Sequence, residues 1–152
     1  MKRTLSLAAV ATIAFSLIAP ASHAQPSLRL RFKVPFSFKI NNQTLTPGEY
    51  EFTQESHLLL KVCNLRDHFS AFESVQPAQS RQEGNGQVRL VFHRYDNQYF
   101  LSAVSDGSWE STYHFKISVG ETQLGQASPR KSIKIVSVDP AGTTLIETHG
   151  GN

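Results

Sequence analysis

The sequence predicts an all-β fold, a single antiparallel β-sandwich or small β-barrel of about 8–10 strands. Three observations carry this. Apolar and polar residues alternate at period two through most of the chain, turn-forming Asn, Asp, Gly and Pro recur about every ten residues, and no window keeps helical periodicity over two successive turns. A length of 152 residues suits one domain, and 39% hydrophobic residues with ten Phe make the chain too apolar and aromatic for a disordered polymer.

The N-terminal segment stands outside this pattern. Met1-Lys2-Arg3 is basic, residues 5–19 are apolar and uncharged, and residues 20–24 end in small side chains, with Ser22 and Ala24 at the two positions that precede a cut. This is the layout of a secretory signal peptide over residues 1–24, which predicts a periplasmic or secreted product whose single domain is residues 25–152. A retained anchor is the competing reading, but the apolar run stops at Pro20, short of the ~20 residues that a spanning helix needs. Removing Lys2 and Arg3 leaves 13 basic against 12 acidic residues. The net charge of the mature chain is then +1, and the argument for nucleic acid or another general polyanion as partner disappears. Cys63 is the only cysteine, so no intramolecular disulfide can form. Its apolar neighbours predict a buried, inert thiol.

Over residues 28–40 every even position is apolar, and the odd positions include Arg29, Arg31 and Lys33. As one strand this run would reach ~40 Å, against a radius of gyration of ~14 Å for a domain of this size. It must bend, and Pro35, with no N–H for the ladder, marks the place. Residues 41–43 predict a turn, and Thr46-Pro47-Gly48-Glu49 a second with Gly48 at positive φ. Strands follow at 50–53, 58–65 and 68–75, the last with Phe69, Ala71 and Val75 on one face and Phe72 on the other. Residues 77–86 read as a loop. The clearest hairpin joins 87–95 to 98–104 through Asp96-Asn97, two residues that tolerate left-handed conformations. A strand over 109–119 is expected to turn Trp109, Tyr113, Phe115, Ile117 and Val119 inward, followed by a second loop at 120–131. A last hairpin pairs 132–138 with 143–147 about Asp139-Pro140-Ala141-Gly142. Strands this short fall below the ~10 residues of a tilted membrane-barrel span, which disfavours an outer-membrane barrel.

Val34-Pro35-Phe36-Ser37-Phe38, then Leu45-Thr46-Pro47-Gly48-Glu49-Tyr50, then the run from Phe92 through Arg94-Tyr95 to Tyr99-Phe100-Leu101 resemble, in that order, the VPFxF, LPAGxY and FxRYGxxYFL elements of a family of small exported acidobacterial proteins. The resemblance covers residues 32–104. It implies an exported all-β domain and carries over no catalytic residue.

The chemistry-bearing residues point to no reaction. His57, His68, His93, His114 and His149 show no ligand spacing, so no metal is expected, although strand pairing could bring His93 beside His114. No nucleophile elbow, HExxH, P-loop or GxGxxG occurs, and no cofactor is implied. Glu49, Glu51, Glu73, Asp96 and Asp106 lie in turns or beside basic residues and read as solvated surface. Two features suit binding. Arg29, Arg31 and Lys33 recur every ~7 Å along one strand face, a row able to meet an acidic glycan or to guard an edge strand against pairing. Tyr95, Tyr99 and Trp109 could form a sugar-stacking platform or fill the core. The expectation is an exported non-catalytic binding or structural module, its partner an envelope glycan or another envelope protein. A lipocalin-like carrier is the alternative and an enzyme the third reading; inward faces rich in Phe favour a packed interior over a cavity.

Expressed with its own N-terminus in an exporting bacterium, the chain should be recovered beginning at Gln25. Intact-mass measurement checks this, and a full-length chain in the inner membrane would contradict it.

Overall fold

Pro35 breaks the first apolar run. In the computed structural model, which describes residues 28–78, 86–108, 112–127 and 133–148, the run divides into β1 (Arg29–Val34) and β2 (Phe38–Ile40). The two halves take different neighbours. β1 pairs antiparallel with β4 (Gly48–Ser56), whereas β2 pairs with β3 (Gln43–Leu45) around Asn41-Asn42, where Asn41 holds φ at 52°.

The chain continues through β5 (Leu59–Asn64), β6 (Ser70–Ala78), β7 (Val88–Tyr95), β8 (Gln98–Asp106), β9 (Thr112–Phe115), the helix α1 (Val119–Ala127), β10 (Lys134–Val138) and β11 (Thr144–Thr148). The main path of the sheet is β1-β4-β5-β6-β9-β8-β7-β10-β11, and it curls into a half-barrel. Every pairing on that path is antiparallel. β9 joins β6 to β8 over residues 75–78 and 103–105. The β2–β3 hairpin takes the stretch that β9 leaves, touching β8 by one parallel bridge from Lys39 to Phe100 and β6 through Asn41, whose side-chain amide donates to the Glu73 carboxylate.

Alternation puts one side chain in two on the inner face, and there Phe32, Phe38, Tyr50, Phe52 and Phe92 are buried to within 1% of completely. Phe38 meets Tyr50 edge-on at 5.0 Å and Phe92 at 5.4 Å, and Phe32 meets Phe52 at 5.8 Å. Pairs in this geometry add ~0.5–1.5 kcal/mol each beyond the area they bury. The inner face is thus packed with rings, as its Phe content predicts.

Four local expectations are corrected. Gly48 has no positive φ; it opens β4 opposite Val34, and the preceding turn is tied by the Tyr50 hydroxyl donating to the Thr46 carbonyl. The expected loop at 120–131 holds α1, whose start is capped by Ser118: its Oγ accepts from the Glu121 N–H at 3.1 Å and its carbonyl from the Thr122 N–H at 3.0 Å. The strand expected over 109–119 is described only from Thr112 to Phe115. Tyr113 and Phe115 do face the core, but Ile117 and Val119 are 58% and 68% exposed, because the chain has already left the sheet for the helix. Cys63 lies outside the core, half-buried on the outer face between Glu51 and Ser70, since the residues of β5 that point inward are Leu60, Val62 and Asn64.

The last turn closes a corner. Asp139 Oδ1 accepts from the Thr143 N–H at 2.7 Å, Pro140 accepts through its carbonyl from the Lys33 N–H at 3.3 Å, and Gly142 holds φ at 93°. A Cβ on Gly142 would stand 2.8 Å from the Lys33 carbonyl oxygen, so only glycine fits where the last turn meets β1.

The β7–β8 turn has two residues, Tyr95 pairing with Gln98, but positive φ falls on Asp96 at 53° and not on Asn97. Glycine at the first central position is the favoured chemistry for such a turn. Asp96→Gly should be neutral or stabilising, and Asp96→Val should destabilise by ~1 kcal/mol or more; equal melting temperatures for the two variants would contradict the assignment.

Candidate functional site

The cationic row is an ion-pair clamp. β1 lies at one end of the sheet and sets Arg31 opposite Glu51 of β4, with Arg29 two pairs away on the same face. Arg29 Nη2 donates to Glu51 Oε1 and Arg31 Nε to Glu51 Oε2, both at 2.7 Å. The arginine side chains remain about two-thirds exposed, while Glu51 is buried beneath them. Hydrogen bonds from Arg29 and then Arg31 hold the Glu51 carboxyl below its usual range, and the same contact raises the Arg29 guanidinium. Lys33 stands opposite Glu49. Glu51 is therefore no solvated surface acid; the row joins two strands across their outer face.

The aromatic platform does not assemble. Across the two-residue turn Tyr95 pairs with Gln98 and Arg94 with Tyr99, which puts the two tyrosines on opposite faces of the hairpin. Tyr99 stacks on Phe36 at 4.0 Å and lies under the Arg94 guanidinium at 5.3 Å. Tyr95 meets Phe100 edge-on and faces α1. Trp109 lies outside the described residues.

A cluster absent from the sequence expectations forms where α1 docks. Glu121, on the first turn of the helix and 4% exposed, accepts at Oε1 from His93 Nδ1 at 2.7 Å and from the Tyr95 hydroxyl at 3.3 Å. Burial, then the Glu121 charge, pushes the Tyr95 phenol up to about 12. Gly125 backs onto the Tyr95 ring, where a Cβ would sit 3.8 Å from Cε1. The cluster fastens a short helix to two positions of β7. The signal for it was Ser118-x-x-Glu121, half of a capping box whose glutamate turns to the sheet instead of to its own cap.

His93 and His114 do not meet, because β8 runs between β7 and β9. Among the described residues no three His, Cys, Asp or Glu side chains are grouped to hold a metal ion. Glu73, also expected at the surface, faces inward beside Leu60 with Asn41 as its donor, and burial raises its carboxyl. Asn64 Nδ2 links the Tyr50 hydroxyl at 3.2 Å to Asp67 at 3.1 Å, while its Oδ1 accepts from the Arg66 N–H at 2.8 Å, which holds the β5–β6 turn against the core.

No family model, curated protein or solved structure matches this chain.

The raised Glu73 carboxyl fixes the sign of a pH effect. The folded state binds this proton more tightly than the unfolded chain, so the stability it contributes is present below the usual carboxylate range and is lost as pH rises through the raised folded value. Glu73→Gln keeps an acceptor for Asn41 and cannot ionise, so it should raise the melting temperature at neutral pH and leave it unchanged in acid. Melting curves across pH check this; a lower melting temperature at neutral pH would show that the charged form is the stabilising one.

Proposed function

We propose that this chain is an exported, non-catalytic β module of the bacterial envelope or its surroundings, working by binding or as a structural part. The observation that carries the reading is how its reactive-looking side chains are engaged. Arg29 and Arg31 close on Glu51, His93 and Tyr95 on Glu121, and Asn41 on Glu73. Each contact joins elements far apart in sequence, and each side chain so held serves the fold first. The resemblance of residues 32–104 to small exported proteins and the leader-like residues 1–24 support the same reading. A lipocalin-like carrier has less in its favour, because the inner face it would need open is filled by Phe32, Phe38, Tyr50, Phe52 and Phe92.

Within this reading the row on β1 guards and braces an edge, and it is not the glycan site. Replacing Arg29, Arg31 and Lys33 together by Gln should lower the melting temperature, since Glu51 loses both donors, and should increase self-association through the unguarded edge. Retention of envelope polysaccharide in a pull-down should not change. A soluble, monomeric triple variant that no longer retains polysaccharide, with salt weakening the native interaction in the same way, would make the row a glycan site instead.

A further inference from the structure

The two ends of the sheet are unlike. Every outward side chain of β1 from Arg29 to Lys33 is cationic, and the free side of that strand is met at Lys33 by the Pro140 carbonyl. β11, at the other end, pairs with β10 alone among the described residues and contains no Lys, Arg or Pro. Its Leu145 is 57% exposed and its Ile146 54%. Neighbours along a strand point to opposite faces, so at Leu145 and Ile146 this edge exposes one apolar side chain on each.

Ile146 is also the end of a core row. Pairing sets Leu101 beside Phe92, Phe92 beside Val136 and Val136 beside Ile146. The first three are buried; the row then runs off the sheet at Ile146. An unpaired ladder flanked by apolar side chains is a template for another strand, and natural edges are usually blunted by charge, proline or a bulge. β1 carries three such charges, Arg29, Arg31 and Lys33, whereas β11 carries one, Glu147.

We infer that β11 pairs antiparallel with β11 of a second copy of this chain, about a two-fold axis at Ile146, so that two half-barrels share one continuous sheet. In that register Ile146 lies beside its own mate, and the buried row through Phe92 and Val136 continues into the same row of the second copy. Thr144 faces Thr148 and Leu145 faces Glu147, so no like charges are opposed. β1 is a poorer mate for β11, because its Lys33 amide is engaged and Gly142 is packed on the same residue. A second β1 is a poorer mate for β1 through charge repulsion. A single pair of short strands buries less than ~1,200 Å², which places the dimer in the weak, concentration-dependent class. The pairing is independent of what the module binds.

Sedimentation velocity of the exported chain over a wide concentration range should show monomer and dimer in equilibrium, and hydrogen exchange should show β11 amides gaining protection as dimer forms. Ile146→Lys should raise the dissociation constant by about tenfold or more, because two cations would meet on the axis. Melting should be that of the parent, since the side chain is exposed in the monomer. Leu145→Lys, on the opposite face, should weaken the dimer as well and keeps the test decisive if Ile146→Lys loosens the fold. A monomer at every concentration, a dimer whose β11 amides stay unprotected, or a dimer indifferent to both variants would each overturn the inference. So would β11 amides protected only when an unrelated peptide is added.

Discussion

The bend at Pro35 is the constraint on which the rest of the structure depends. A continuous strand over residues 28–40 would be too long for the domain, and proline removes the donor that would keep it in one ladder. The chain therefore leaves the sheet edge at Val34 and re-enters between β8 and β6, in the stretch that β9 leaves. There Phe38 touches Tyr50 of β4 and Phe92 of β7, strands from opposite arms of the half-barrel, and Phe36 stacks on Tyr99. One short segment thus packs against both arms of the sheet. Asn41 at the tip of the same hairpin then ties it to β6 through Glu73, and Lys39 ties its base to Gln98 at 2.7 Å.

Much of the fold was legible because alternation and turn chemistry agree. The break in the first run, the hairpins about 96–97 and 139–142, and the faces of the strand after His68 all stand where period two and turn residues place them. What was not legible has a common cause: periodicity reports on apolar side chains, and several decisive contacts here are polar. The only fully buried residue of α1 is Glu121, so the helix carries no apolar stripe to detect. Alternation also runs on past the end of its strand, which is why Ile117 and Val119 read as core while standing in solvent. In the nearly continuous apolar run 58–65 the parity is not readable locally, and it is pairing with β4 that turns Cys63 outward. The tyrosine platform fails on the same parity. Two residues that flank a two-residue turn at positions 95 and 99 belong to adjacent rungs and must point to opposite faces, an inference the hairpin itself already contained.

Three glutamates show how strand register sets the electrostatics. Glu51, between two arginines, is held below its usual range; Glu73, with one amide donor and a buried setting, is pushed above it; Glu121 takes a histidine and a tyrosine on a single oxygen. A carboxylate is costly to bury without donors and strongly bonded with them, so each acid acts as a register pin: only one alignment of its strand or helix supplies the partners. The apolar alternation of the inner face sets register strand by strand, and the glutamates add partners that only that register supplies.

This division of labour also locates where recognition can occur. The inner face is filled, the Arg29–Glu51–Arg31 clamp joins β1 to β4, and the two tyrosines nearest the turn are held by Phe36 and Glu121. Among the described residues the main-chain groups least committed to the fold belong to a sheet edge. A curled sheet that stops short of closure must have two such edges. Charge discourages pairing at the first, and the second is the tail of an apolar row. An edge recognises another strand mainly through backbone hydrogen bonds, with selectivity left to alternate side chains. In β11 those side chains are Leu145 on one face and Ile146 on the other, and it is the second that continues the core.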